Sequence, residues 1–178
     1  MDAKKEIAKF AKPNMVPVII LICIPPVLTL IGLLLLLCVT LPANKKVNKR
    51  LEQMEANGEL ERAYAEFTSP NAKHLIKGKL ILTEHYIFGK NSGLILTYDE
   101  VKWVYKHRFT RSLLFIPISV TDSLYLATKT VKPGPIASMG RDRKEEIKTA
   151  IIEIYNHNRN CLVGYTKETV AAYKAMTK

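Results

Sequence analysis

The stretch from Val101 to Phe109 reads VKWVYKHRF and alternates between two kinds of side chain. The odd-numbered positions, which share one face of a strand, are apolar or aromatic: Val101, Trp103, Tyr105, His107 and Phe109. The even-numbered positions share the other face and are mostly basic: Lys102, Val104, Lys106 and Arg108. A register shift of one residue would bury the cations, so the pattern predicts a strand with an aromatic core face and a basic outer face, which Arg111 extends.

Similar runs, rich in β-branched and aromatic residues, lie on both sides of this strand. They are Leu75–Leu82, His85–Phe88, Gly93–Thr97, Leu113–Val120 and Ser123–Thr128. The predicted turns between them include Gly89–Gly93, Tyr98–Glu100 and Thr121-Asp122. Successive strands with brief connections and no intervening helix indicate an antiparallel meander.

Helical spacing precedes the meander. Val47, Leu51 and Met54 predict one short helix, and a second follows a break at Asn57-Gly58, with its stripe on Leu60, Tyr64 and Phe67. Two interpretations of this segment stay open. It is either a connector that packs on the following domain or an interfacial helix that lies on lipid.

Helical spacing also follows the meander. After a predicted loop at Lys132–Pro135, Asp142 and Glu145 have the spacing of a capping box. An apolar stripe then predicts an amphipathic helix that packs on the sheet: Ile147, Ala150, Ile151, Ile154 and Tyr155. A final short helix is predicted over 166–178, around Val170 and Tyr173.

The segment from Met15 to Leu41 reads MVPVIILICIPPVLTLIGLLLLLCVTL and has no charged residue. Crossing a hydrocarbon core takes about 20 apolar residues. The sequence therefore predicts a transmembrane helix over 15–42, kinked at Pro25-Pro26 because proline removes a backbone donor. A re-entrant wedge is the alternative. A cleaved signal peptide does not fit, since its apolar core is about 7–15 residues long.

The net charge is +11. Lysines flank the apolar segment on both sides, so the flanking cations do not orient it, whereas Arg62 and the basic remainder favour a cytosolic C-terminal domain. We expect a single-pass protein of the cell membrane with its folded domain in the cytoplasm. Anionic lipid head groups are then the expected polyanion, and nucleic acid is not.

The candidate contact residues are basic clusters. The first follows the apolar segment: Lys45, Lys46, Lys49 and Arg50. The second belongs to the strand quoted above: Lys102, Lys106, Arg108 and Arg111. The third surrounds the predicted helix start: Lys129, Lys132, Arg141, Arg143 and Lys144. Each cation close to an anionic leaflet contributes about 1 kcal/mol.

Catalytic and metal-binding patterns are absent from the sequence. The four histidines are scattered, and Cys161 has no base near it in sequence, so we predict an inert thiol. No glycine-rich phosphate loop is present. We predict no catalytic residues, no cofactor and no metal. An unrecognised enzyme stays an alternative, since active sites assemble in three dimensions.

Three runs carry a resemblance: LILTEHYI at Leu80–Ile87, GLI at Gly93–Ile95 and DEVKWVY at Asp99–Tyr105. They resemble the repeated core of bacterial pleckstrin-homology-like domains. Ser123–Thr128 is similar to the last strands of those domains, and Gly164-Tyr165 to a tail in some uncharacterised membrane-anchored members. The resemblance covers roughly 72–165 and implies a barrel closed by a helix, acting as a binding or assembly module.

The same resemblance bears on the ligand. Eukaryotic lipid-binding members use a basic loop between their first two strands. We place that loop at Thr83-Glu84-His85, which is not basic, so the resemblance does not imply inositol-phosphate binding by that route.

The expected architecture is α+β, with five parts in chain order. They are a basic N-terminal flank (1–14), the transmembrane segment (15–42), a juxtamembrane helical connector (43–71), a pleckstrin-homology-like barrel (72–165) and a short C-terminal helix (166–178). The expected function is a membrane-anchored, non-catalytic adaptor that binds a protein partner or a second copy of itself. The alternative is a peripheral sensor of anionic lipid that uses its basic strand faces.

Overall fold

Two four-stranded sheets and the helices packed on them organise the part of the chain that the computed structural model describes: residues 3–16, 40–113, 116–140 and 144–177. The fold is α+β. The layers follow one another as a group of helices, the first sheet, a central core with one helix, the second sheet and a last helix.

The first sheet, sheet A, is antiparallel with its strands in chain order. Its strands are β1 (Lys73–Leu75), β2 (Leu80–Leu82), β3 (Tyr86–Gly89) and β4 (Ile95–Thr97). Every residue of β2 and β3 is buried because both faces of the sheet are covered. Leu82 and Ile87 face the central core, whereas Tyr86 and Phe88 face the N-terminal helices.

The second sheet, sheet B, has the order β7-β6-β5-β8. Its strands are β5 (Trp103–Leu113), β6 (Ile116–Ala127), β7 (Gly134–Gly140) and β8 (Leu162–Val163). Strands β5 to β7 are antiparallel, and β8 pairs with β5 in parallel. A short 3-10 turn at Tyr98–Glu100 leads from sheet A into β5.

The helices cover the sheets from three sides. They are α1 (Ala3–Ala11), α2 (Leu41–Ala56), α3 (Leu60–Phe67), α4 (Lys144–His157) and α5 (Lys167–Met176). The first three bury the outer face of sheet A, and α4 lies in the central core. Helix α5 begins at a cap formed by Thr166 and Thr169 and packs on the outer face of sheet B through Tyr173.

The apolar stripe of α2 is buried as predicted, with Val47, Leu51 and Met54 at most 1% exposed. This stripe contacts sheet A and α1. The helix pair therefore packs on the folded domain as a connector, and its apolar face is occupied by protein. The apolar face of α2 is therefore not the lipid-facing surface that the alternative of an interfacial helix predicted.

Asn158 ties the end of α4 to the junction between the two sheets. Its Nδ2 donates to the carbonyl oxygens of Tyr98 at 2.7 Å and Val101 at 2.9 Å, and its Oδ1 accepts from the Asn160 amide at 3.1 Å. The Tyr98 hydroxyl in turn donates to the Thr83 carbonyl at 2.8 Å. One buried carboxamide thus satisfies backbone groups at the point where the chain passes from one sheet to the other.

The predicted transmembrane helix and single-pass location at the cell membrane are contradicted in the residues described. Helix α1 has only 9 residues and carries lysines, and α2 carries Lys45, Lys46 and Lys49 within its first turns. Among the described residues, no helix is both long enough and apolar enough to cross a bilayer. Residues 17–39, with the kink predicted at Pro25-Pro26, lie outside the described residues.

The predicted closed barrel is also wrong, because the described strands form two separate four-stranded sheets. Three local predictions change with it. Leu75–Leu82 is not one strand but two, joined by a turn at 76–79. The predicted turn at Thr121-Asp122 lies inside β6, where Arg108 pairs with Asp122. Strand β7 begins at Gly134, where only a loop was predicted at Lys132–Pro135.

Strand β5 is also buried on both faces over its first half. Trp103 and Tyr105 pack against α5, whereas Val104, on the face predicted to be outer, is fully buried in the central core. Lys106 and Arg108 come later in the strand, beyond the cover of the core, whereas Lys102 precedes it. The aromatic face is therefore a second, smaller core.

Replacing Asn158 with alanine is expected to lower the free energy of unfolding by about 1–3 kcal/mol, because a buried backbone carbonyl loses its donor. Urea unfolding followed by tryptophan fluorescence measures this. Asn160→Ala is the matched control, since the exposed Asn160 contributes only its backbone amide and should change stability by less than about 0.5 kcal/mol. Equal effects of the two substitutions would contradict the role of the Asn158 side chain.

Burial raises the pKa of the Cys161 thiol to about 11. An unperturbed thiol has a pKa of about 8.5, so the thiol of the unfolded chain loses its proton first as the pH rises. Between the two pKa values, this difference lowers the free energy of unfolding as the pH rises. We expect the native alkylation rate of Cys161 to rise with a midpoint near pH 11. A variant with Cys23→Ala and Cys38→Ala isolates this thiol, and the same protein in denaturant is the control. A native midpoint equal to that in denaturant would contradict the assignment.

Candidate anion-binding site

A surface pocket of about 500 Å³ lies where the β1–β2 turn, the β3–β4 turn and β7 meet. Its walls include Lys77, Lys79 and Lys90, together with Asn91, Ser92 and the stretch 135–138. None of the described residues that line it is acidic. We call this the lysine pocket.

The β1–β2 turn is held in an uncommon backbone conformation. Ile76, Lys77 and Gly78 follow one another at φ values of 55°, 55° and 70°. A β-branched residue rarely adopts a positive φ. The Ile76 side chain is fully buried in the central core, and its burial stabilises the turn that exposes Lys77 to solvent.

The β3–β4 turn is joined to the first turn by a backbone hydrogen bond. The Lys90 amide donates to the Lys79 carbonyl at 2.7 Å, which continues the β2–β3 pairing of Leu80 with Gly89. Asn91 has a φ of 58°, and its amide donates to the Phe10 carbonyl at 3.0 Å at the end of α1. Both lysines are therefore placed by backbone contacts.

The third wall is β7, and Lys79 reaches across to it. Its Nζ donates to the Ser138 carbonyl at 2.7 Å. Gly89 lies beneath, in contact with Ile136, and a Cβ at this position would collide with Ser92 Oγ and Ile136 Cγ1. The absence of a side chain at Gly89 thus lets sheet A approach β7 closely enough to form the pocket.

The pocket is electropositive and open to water. The three lysines are exposed, and each ammonium offers donors with a full positive charge. One acid contacts the β1–β2 turn: Glu146, whose Oε2 accepts from the Lys77 amide at 3.2 Å. The chemistry suits a phosphate or another multiply charged anion, and the volume falls within the range of about 300–1,000 Å³ typical of ligand sites.

The cluster at the start of α2 is not among the residues that line this pocket. Lys45, Lys46 and Lys49 are exposed along the helix. Arg50 instead donates from Nη2 to Glu100 Oε2 at 2.8 Å and links α2 to the 3-10 turn.

The cluster on β5 is divided by its contacts. Lys102 Nζ donates to the Asp99 carbonyl at 2.9 Å. Arg108 donates to both carboxylate oxygens of Asp122, at 2.7 and 2.9 Å, and Lys106 lies 3.7 Å from the same carboxylate. The hydrogen bond to Asp122, followed by the negative charge of Asp122, raises the pKa of Arg108 above its usual value.

Arg111 lies further along β5, on the other face from Arg108, with its guanidinium carbon 5.9 Å from the centre of the Phe109 ring. Lys106 and Arg108 therefore share one buried carboxylate, which offsets only one of their two positive charges, and Arg111 lies on the other face of the strand.

The last cluster is only partly described. Lys129 and Lys132 are exposed in the loop after β6. Lys129 and Lys102 line one small pocket of about 330 Å³, but Asp99 and Glu100 line it too. Arg141 and Arg143 lie outside the described residues, and Lys144 is the first residue of α4.

A polar cluster around Glu66 ties α3 to the β2–β3 turn. Glu66 accepts from Thr83 Oγ1 at 2.8 Å and from the His85 amide at 3.0 Å, and its other oxygen lies 2.7 Å from His85 Nδ1. Burial acts to raise the pKa of Glu66, but these hydrogen bonds outweigh it and hold the pKa below its usual value. Within the described ranges, no three His, Cys, Asp or Glu residues form a possible metal site.

The residues of the lysine pocket were not among the sequence-predicted contacts. The β1–β2 connection was placed at Thr83–His85, but that segment joins β2 to β3, and the true connection at 76–79 contains Lys77 and Lys79. Lys77-Gly78-Lys79 marks this turn in the sequence, because glycine is common in tight turns. The apolar residues on both sides of it, Leu75-Ile76 and Leu80–Leu82, led to the prediction of one strand.

Comparison with known proteins adds no family to these observations. Neither the models of protein families, nor the curated proteins, nor the solved structures contain a match to this chain.

Proposed function

We propose that this protein is a non-catalytic binding module that recognises a phosphate-bearing ligand through the lysine pocket. One observation carries the proposal: three lysines from two turns line one pocket with no acidic residue on its described walls. Several of the basic residues predicted as contacts are instead paired with Glu100 or Asp122.

The geometry of the turns supports a preorganised site. The hydrogen bond between Lys90 and Lys79, and the contact of Lys79 with Ser138, hold the pocket walls together without a ligand. When the lysines of a site are already held together, less free energy is lost in ordering them as a ligand binds. Because the lysines are exposed, their attraction for an anion is screened by salt.

The resemblance to pleckstrin-homology-like domains supports a binding role of this kind. It implies a module that recognises a ligand without transforming it. A phosphate group can belong to a lipid head group at a membrane surface or to a soluble molecule, and the pocket would meet both through the same ammonium groups.

The test uses the full-length chain with two probes. Inorganic pyrophosphate is titrated in solution by calorimetry, and vesicles of phosphatidylcholine with or without phosphatidic acid are used in flotation. Substituting Lys77, Lys79 and Lys90 with glutamine is expected to weaken binding by roughly 100-fold, at about 1 kcal/mol per lysine.

The matched control changes the same number of charges on α2, with Lys45, Lys46 and Lys49 substituted by glutamine. It should bind nearly as the unmodified chain does, because these lysines do not line the pocket. Binding only to vesicles with phosphatidic acid identifies a lipid surface, and binding to pyrophosphate identifies a soluble phosphate. The proposal is refuted by an equal loss in both variants, or by binding of neither probe.

A further inference from the structure

Strand β5 has one edge that the described chain covers only at its start. On one side β5 pairs with β6 along its whole length. On the other side β8 pairs only with Trp103 and Val104. The chain then turns away at Gly164, which has a φ of 86°, and enters α5.

The backbone groups on this edge belong to the even-numbered residues. The Leu162 amide donates to the Lys102 carbonyl at 2.9 Å, and the Gly164 amide donates to the Val104 carbonyl at 3.0 Å. Backbone groups of alternate residues in a strand point to the same side. The amides and carbonyls of Lys106, Arg108 and Thr110 therefore face this edge, where no strand of the described residues pairs with them.

The two faces beside the open edge differ in character. One face continues the aromatic stripe through His107 to Phe109, which is 51% exposed. Tyr165, 63% exposed, lies nearer the start of the strand, with its ring 5.0 Å from that of Tyr105. An apolar side chain of an added strand would find contacts here.

The other face is basic. Lys106 and Arg108 project there around the single carboxylate of Asp122. On the aromatic side, Arg111 lies over Phe109, and Lys167 and Lys174 of α5 line a groove with Tyr165. Lys106 and Arg108 carry two positive charges against the one negative charge of Asp122, and the charged residues named on the aromatic side are all basic.

We propose that the open edge of β5 binds an extended segment of a partner protein in which acidic and apolar residues alternate. The segment adds a strand beside Lys106, Arg108 and Thr110. Its backbone pairs with these residues, its acidic side chains face Lys106 and Arg108, and its apolar side chains meet Phe109 and Tyr165. Addition of a strand to a sheet edge is a common mode of peptide recognition.

Charge complementarity favours this partner over a second copy of the chain. Two β5 edges paired with each other would bring Lys106 and Arg108 close to the same residues of the other copy. Like charges opposite each other across a strand pair are destabilising, and edge cations are a known barrier to edge-to-edge pairing.

The experiment titrates the full-length chain with a labelled peptide of alternating glutamate and valine and follows fluorescence anisotropy. Methylating the peptide nitrogens on its bonding edge removes backbone donors and leaves the charges unchanged. This is expected to weaken binding by about tenfold or more. A peptide of alternating lysine and valine is the control for charge and should not bind.

Amide hydrogen exchange locates the contact without any substitution in the protein. The amides of Lys106, Arg108 and Thr110 should exchange rapidly in the free chain and become protected by the glutamate-valine peptide. Protection absent from these amides, or equal binding of the methylated peptide, overturns the proposal. The variant with Lys77, Lys79 and Lys90 replaced by glutamine should keep its peptide affinity, and this separates the edge from the lysine pocket.

Discussion

At the corner between the two sheets the backbone leaves one ladder of hydrogen bonds before it enters the next, and buried carbonyl groups there have no strand partner. The carboxamide of Asn158 donates to the Val101 carbonyl and adds a second donor to the Tyr98 carbonyl, which also accepts from the Val101 amide. An unsatisfied buried carbonyl costs about 1–3 kcal/mol, so this contact fixes where α4 ends relative to both sheets. The position of β8 follows, because the Cys161 amide bonds to Asn158 and β8 begins at the next residue.

The two candidate binding surfaces depend on how the two sheets and β8 are placed. The lysine pocket needs β7 of sheet B close to the turns of sheet A, and the small size of Gly89 against Ile136 permits this approach. The open edge of β5 exists because the segment after Asn158 pairs with only two residues of the strand before it turns away. One surface therefore arises where the sheets meet, and the other where β8 ends.

The sequence predicted the helical elements around α2, α3 and α5 well, because the spacing of Val47, Leu51 and Met54, and the position of Tyr173, are local properties of the chain. It was less successful with the strands. Strands β2 and β3 are buried on both faces and show no alternation to mark their ends, so 75–82 resembled one strand. Asp122 resembled a turn residue, because its partner Arg108 becomes visible only when β5 and β6 are paired.

The sequence by itself determined the α+β class, the amphipathic helices and the alternation of side chains along β5, because periodicity is imposed by the geometry of each element alone. It did not determine that both faces of β5 are buried over its first half, since that depends on the central core and α5. Only the tertiary structure decided which cations are neutralised and which gather to form a site. Arg108 is paired because strand register places it opposite Asp122, and Lys79 meets Lys90 because β2 pairs with β3. Both contacts are between residues that are apart in the sequence. The net charge at a site depends on every residue that the fold places there, so it cannot be read from a short stretch of sequence.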